Sequence, residues 1–364
     1  MRVLPPVGGI VPPATLAGPI QFRRSFILHR KRFVSLVLAG VLATMGAGTA
    51  VAVAAGLTGA GSTLVAPLMA RWQSDFQHRT GISVTYGAVG SGAGIQNISS
   101  RTVDFGASDA PLTPSQAGAC HGCVQIPWAL TATAIGYHLN GVSGLHLSGP
   151  VLAKIYLGQI TTWNNPAIQR LNKGKNLPGT KITPVYRSDG SGDTYAFTDF
   201  LSKTSSAWAG SKGRGTAVSF GTGIGEKGNA GVTAGVAGTN GAVGYIAASY
   251  LILHGVPAAA LQNAAGRYEY PNLKNISAAA KSVKRVPASN EMHIMYPSAT
   301  YSIAYPLSTF TYAIVPKTSS NNGNMAKFVR YAVSTGQQFG PALDFQPLPT
   351  VVTNAALKTV KVLH

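Results

Sequence analysis

From residue 57 onward the chain alternates between two hydrophobic rhythms. Leu64, Leu68, Met69, Trp72 and Phe76 recur at helical spacing behind the glycine-rich run Gly59-Ala60-Gly61-Ser62, so residues 57–76 read as strand, turn and helix. Ile82-Ser83-Val84-Thr85-Tyr86 alternates as a strand and enters a second glycine-rich turn at 87–94, with a helix expected over 95–100. The unit recurs in Val103-Asp104-Phe105-Gly106-Ala107-Ser108-Asp109-Ala110-Pro111-Leu112. Three strand-then-turn units in succession predict an α/β sheet whose loops, at the strand ends, share one rim. Ligands bind at such rims.

Further along, residues 126–139 hold two apolar runs around Thr131-Ala132-Thr133, and residues 151–158 read as a helix stopped by glycine. Asn165-Pro166 opens another short helix, and Gly228-Asn229-Ala230-Gly231 precedes one more. Residues 241–246 look like a returning strand, 309–315 like a buried strand, and 324–335 like the final helix, carrying Met325, Phe328, Val329, Tyr331 and Ala332. Residues 258–298 are rich in Ala, Asn and Ser and poorly patterned, which predicts an insertion or a mobile excursion.

Composition narrows the class. A chain of 364 residues suggests two domains, or one with large insertions; 45% hydrophobic and 11% charged residues exclude a disordered chain or a coiled coil. Six of the 29 basic residues precede residue 56 and no carboxylate does, leaving 23 basic against 10 acidic residues in the rest. Those cations are dispersed, with no long basic run or nucleic-acid-binding signature, so a solvated basic surface is expected and no nucleic-acid partner. The leader, 1–55, has a basic segment at 23–32 and an uncharged stretch over 33–55 with small residues at 50–54. That is the pattern of an export signal, or failing cleavage a membrane anchor, and the protein is expected in the periplasm or at the cell surface. The residues ahead of the basic segment are unusual for a signal, as if the start codon were assigned too early. Cys120 and Cys123 are the only cysteines. Their spacing would suit redox chemistry or half a metal site in a cytosolic protein; in an exported one it reads as a small structural disulfide loop. No second cysteine pair or histidine spacing completes a metal site, so no metal is expected.

The chemistry concentrates in Tyr186-Arg187-Ser188-Asp189-Gly190-Ser191-Gly192-Asp193-Thr194, ahead of a predicted helix over 194–201. Glycines let the main chain present N–H groups at a helix N-terminus, which attracts anions. Arg187 adds a permanently charged fork that can grip two oxygens of a tetrahedral anion. Alone, Asp-Gly-Ser-Gly is also an ordinary turn. The turns at 59–63 and 90–94 add Thr63 and Ser91, neutral donors beside glycines. Neither turn is a dinucleotide fingerprint or a P-loop, so no cofactor is expected.

Taken together, the runs 58–67, 103–112, 155–160 and 187–194, with Gly241-Ala242-Val243-Gly244-Tyr245, resemble the phosphate-binding protein of the bacterial high-affinity phosphate ABC transporter. The resemblance implies a type II two-lobed periplasmic-binding-protein fold, with two crossing segments and the ligand in the interlobe cleft. It places lobe I at 56–138 plus 307–364, lobe II at 139–306, and hinges near His138 and Pro306. Carried over by position, the phosphate contacts fall on Thr63 and Leu64 through the main chain, Ser91, Asp109, Arg187, Ser191, Gly192 and Asp193. Asp189 would orient Arg187. Position 64 is Leu where many members have Phe, and position 193 is Asp where the enterobacterial type has Thr; mycobacterial members look like the Asp form. Asp109 would act as a filter: phosphate near neutral pH keeps a hydroxyl to donate to it, whereas sulfate has none.

The function so implied is an extracytoplasmic monomer that captures inorganic phosphate and delivers it to permease subunits in the membrane. The alternatives are a binding protein for sulfate or molybdate, or a phosphate-ester hydrolase on the same fold. No Gly-x-Ser-x-Gly elbow or metal cluster supports the hydrolase, so no catalytic residue is expected.

Overall fold

The computed structural model describes residues 56–364, so the predicted export signal or anchor lies outside the described residues. Eleven strands occur in chain order: β1 (Leu57–Gly61), β2 (Val84–Ala88), β3 (Phe105–Ser108), β4 (Cys123–His138), β5 (His146–Leu147), β6 (Thr183–Arg187), β7 (Ile224–Glu226), β8 (Ala242–Ala247), β9 (Ala260–Gln262), β10 (Tyr268–Glu269) and β11 (Ser308–Pro316). Eight form one sheet in the order β2-β1-β3-β11-β4-β8-β6-β7, and β10-β9-β5 form a smaller one. The outer trios are parallel, β1 with β2 and β3 on one side, β6 with β7 and β8 on the other. The two centre strands run antiparallel to their neighbours. Parallel strands separated by helices require crossovers, and the recurring strand, glycine turn and helix units supply them.

The two apolar runs at 126–139 turn out to be a single sixteen-residue strand, β4, buried along most of its length. Up to Ala132 it pairs with β11, and from Thr133 it pairs with β8. One strand thus belongs to both halves of the sheet, and the polar Thr131 and Thr133 in its middle are each fully buried. The stretch 258–298 is more ordered than its composition implied. Ala260 and Leu261 pair with β5, and the helix Leu273–Ala280 buries Ile276, Ala278 and Ala279. Short strands and an alanine-rich helix carry too little periodicity to be seen in sequence. The helix predicted at 324–335 spans Asn322–Ala332, and it is not the last; Thr350–Val360 forms another.

Each half has its own aromatic knot. On the β1 side, Trp72 packs edge-on against Trp128 and Phe328 at ring-centroid distances of 5.5 and 6.4 Å, and its Nε1 donates to the Gly336 carbonyl at 2.9 Å. On the β6 side, Phe197 lies 4.8 Å from Tyr156 and 4.6 Å from Tyr245. Trp72 is fully buried, so Trp72→Ala removes a large apolar surface, leaves a cavity and strands a carbonyl. The expected loss is about 3–5 kcal/mol, read as a lower urea midpoint.

Candidate phosphate-binding site

β1, β2 and β3 run opposite to β6, β7 and β8, so the carboxyl ends of the two trios face each other across the point where β4 changes partner, and four helices begin there: Ala66–Thr80, Ser91–Ser99, Gly192–Thr204 and Gly228–Gly238. Three of the four have no side-chain cap; the fourth is capped by Ser191, whose Oγ accepts from the Thr194 N–H at 3.3 Å. Uncapped N-termini converging on one place give a positive potential and main-chain donors without formal charge. Gly61 makes the first turn possible. It sits at φ +147°, and a Cβ there would collide with the Ala107 carbonyl of the next strand.

The residues named from the sequence come together here and are nearly all buried. Thr63, Ser91, Asp109, Arg187, Ser191 and Asp193 are each at most 6% exposed. Ser91 Oγ accepts from the Gly192 N–H at 3.1 Å and lies 3.4 Å from Asp109 Oδ2, tying three predicted positions from two halves of the sheet. A Cβ on Gly192 would stand 2.5 Å from Asp109 Cβ, so the two walls approach as closely as a missing side chain permits. Gly192→Ala should therefore hold the walls apart and weaken anion binding on the order of tenfold or more, measurable by calorimetry, with little change in far-UV circular dichroism.

Arg187, at the end of β6, is held by two carboxylates. Its Nε and Nη2 donate to the two oxygens of Asp189 at 2.7 and 2.6 Å, and its Nη1 donates to Asp193 Oδ2 at 2.9 Å. Asp189 also accepts from the Gly228 N–H at 2.9 Å, which fixes the clamp to the next helix start. Three of the guanidinium's N–H groups are so engaged, and a guanidinium has about five. Two of those three N–H groups are held by Asp189 alone.

Asp193 faces inward and is saturated. Besides Arg187 it accepts from Thr133 Oγ1 at 2.7 Å and from Asn229 Nδ2 at 2.7 Å. Asn229 in turn reaches Thr63 Oγ1 at 2.9 Å, and its own carbonyl accepts from the Ala247 N–H at 2.7 Å. The carboxylate at 193 therefore links β4, β6, the Gly228–Gly238 helix and the first glycine turn. Asp109 is met by Ser62 Oγ at 2.6 and 2.7 Å from its two oxygens. The Leu64 N–H, predicted as a main-chain donor, points at the same Ser62 Oγ at 3.1 Å.

Burial and charge then separate the acids. Burial, with the charge of Asp193 behind it, pushes Asp109 up to about 7 against the opposing pull of Ser62 and Arg187. Burial also raises Asp193, although Arg187 pulls the other way. Asp189 is pushed up by burial but held below the ordinary carboxylate range by Arg187. One acid of the rim can thus carry a proton near neutrality while another stays ionised against the guanidinium.

The positions that motif reading missed are Ser62, Thr133, Thr194, Asn229 and Tyr245. Tyr245 Oη accepts from the Arg187 N–H at 2.9 Å and lies 2.9 Å from Thr194 Oγ1. Two of these left a trace in the sequence. Asn229 follows a glycine at a helix start as Gly192 follows a serine, and Thr133 is a polar residue inside an apolar run.

A family model described as a PBP superfamily domain matches residues 44–335. The phosphate-binding protein PstS of Xylella fastidiosa (strain Temecula1 / ATCC 700964) is 36% identical over 298 residues, covering 80% of this chain and 81% of the relative. This chain belongs to the PstS family of the PBP superfamily. A second PstS relative, from Pasteurella multocida (strain Pm70), is 36% identical over 301 residues, covering 81% of this chain and 87% of its own length. Among solved structures, a high affinity periplasmic phosphate-binding protein (PfluDING) bound with phosphate superposes with a TM-score of 0.67. It shares 21% identity and covers 82% of this chain and 92% of its own. That likeness establishes a shared two-lobed α/β fold with the PstS family's structural relatives.

Proposed function

We propose that this protein captures inorganic phosphate in the interlobe cleft and delivers it to the permease of an ABC transporter. The observation that carries the reading is the single buried guanidinium of Arg187 beside an aspartate, Asp109, poised to take or give one proton. The guanidinium supplies charge; the carboxylate tests whether the guest brings a hydrogen. The proposed contacts are Thr63 and Leu64 through the main chain, Ser91, Asp109, Arg187, Ser191, Gly192 and the Asp193 N–H. The Asp193 carboxylate, engaged by Arg187, Thr133 and Asn229, reaches the other half through Asn229, which also bonds Thr63 Oγ1.

The resemblance implied lobe I at 56–138 with 307–364 and lobe II at 139–306, but β4 changes partner between Ala132 and Thr133, so in this reading the first crossing falls there rather than near His138 and residues 133–138 go with lobe II. The Thr133 N–H bonds the Leu307 carbonyl at 3.0 Å beside the second crossing. Among the described residues no helix is long and apolar enough to cross a membrane, and no cluster of His, Cys, Asp and Glu could hold a metal ion. Export by the leader and action as a monomer complete the proposal. Titration calorimetry with phosphate and sulfate at about pH 9, where Asp109 is ionised, tests it. Stoichiometric phosphate binding with sulfate about a hundredfold weaker or more supports the reading, and equal binding of the two ends it.

A further inference from the structure

Far from the helix starts, Cys120 and Cys123 are joined by a disulfide at the point where β4 begins. Cys120 is fully buried, while Cys123 is partly exposed and lies on the wall of a cavity of about 300 Å³ with Leu112, Pro114, Ala117 and Val124. A second cavity of about 470 Å³ shares Val124, Ala288, Asn290 and Thr359 with the first and is lined by Arg285, Lys317 and Lys358, with no carboxylate on its wall. The main-chain N–H of Lys317 bonds the Gly122 carbonyl at 3.1 Å, so the second cavity's wall and the cysteine loop are joined through the backbone. Glu291, the acid on the first cavity's wall, pairs with His293 at 2.8 Å.

Over the sulfurs sits Arg101. Its guanidinium is fixed by three carbonyls, those of Ile98 at 2.8 Å, Cys120 at 2.9 Å and His121 at 3.0 Å. The same group reaches Cys123 Sγ at 3.2 Å and Cys120 Sγ at 3.6 Å. A bridge that closes so short a loop constrains the unfolded chain little, so chain entropy gives this one a weak structural reason to exist. A cation already in place, by contrast, stabilises a thiolate and makes its sulfur a better leaving group.

We propose that Cys120–Cys123 is an exchangeable disulfide, reached through this cavity by a low-molecular-weight thiol that carries carboxylates. The incoming thiolate attacks the partly exposed Cys123 Sγ; the S–S bond breaks and its electron pair leaves on Cys120 Sγ, which Arg101 receives. A second thiolate then attacks the incoming thiol's own sulfur in the mixed disulfide and releases Cys123. Two thiols are oxidised to one disulfide, the protein disulfide is reduced to two thiols, and the two protons lost by the reagents appear on the cysteines. The basic cavity holds the carboxylates of the reagent while it attacks.

The test uses the folded full-length chain with reduced glutathione, which has two carboxylates, and with cysteamine, which has none. Acid quenching, alkylation and mass spectrometry count the opened bonds. The disulfide should open at about 10 mM glutathione under native conditions, and glutathione should react on the order of tenfold faster than cysteamine per thiolate present. The Lys317→Glu/Lys358→Glu variant should lose that preference. Arg101→Gln should shift the exchange equilibrium towards the disulfide by about tenfold, without changing the preference between thiols. A bond that stays closed at that glutathione concentration, or equal rates for the two thiols, overturns the proposal. The lysine variant keeps the test valid should Arg101→Gln fail to fold.

Discussion

Arg187→Met lowers phosphate affinity by between about a hundredfold and ten-thousandfold. The estimate follows from two charge-assisted hydrogen bonds to the guest, each contributing about 1.5–3 kcal/mol. Loss of binding is only half of the expected result. The same side chain neutralises Asp189 and Asp193, which it meets at 2.6 and 2.9 Å from inside the protein. Without it the buried carboxylate of Asp193 and the partly buried one of Asp189 face an incoming anion, so residual binding should survive only at acid pH, where protons replace the missing cation. Arg187→Lys restores a charge but not a fork. A point cation cannot serve both oxygens of Asp189 and also reach Asp193, so recovery should be partial. Calorimetry across pH 5 to 8 measures both effects; an Arg187→Met protein that binds phosphate as tightly as the parent at neutral pH would remove the guanidinium from the site.

Asp109→Asn should change selectivity more than affinity. With Asp109 ionised, a fully deprotonated tetrahedral anion meets a carboxylate and no hydrogen lies between them, which can cost discrimination on the order of 10⁴. An amide offers N–H donors in place of that charge, so the preference for phosphate over sulfate should fall to within about a hundredfold. The parent protein offers a second route to the same end. Burial and Asp193 raise Asp109 to about 7, so acidification protonates it and turns an acceptor into a donor. Sulfate binding by the unaltered protein should therefore strengthen as pH falls toward 7, approaching about tenfold per pH unit well above it, and level off below 7 where Asp109 is already protonated. In Asp109→Asn that slope should be much reduced. Parallel sulfate titrations of the two proteins check the difference, and identical slopes would assign the proton to another group.

The sequence marked the candidate site's residues more sharply than it marked the connectivity of the strands around them. Glycine-flanked hydroxyls at 63 and 91, the aspartate at 109 and the 187–193 run each mark a strand end, because anion-binding turns need particular backbone conformations and so particular residues. Their convergence is visible in the bond from the Gly192 N–H to Ser91 Oγ. The partners Asn229 and Thr133 left only faint marks, since each acts through the burial of Asp193, a property of the assembled protein rather than of its neighbours in the chain. Strand continuity was hidden for a similar reason. Residues 126–139 show two apolar runs because one strand lies against two different neighbours, and periodicity reports faces but not partners. The small sheet at β5, β9 and β10 has only two or three residues per strand, too few to make a pattern.

Because β4 is laddered to β11 on one side of Ala132 and to β8 beyond it, the halves cannot slide past one another without unzipping a strand along its length. Under the proposed capture of phosphate, the motion left to the halves is torsion near Thr133, and such a leaf spring would bring them back to one alignment each time a guest is bound and released.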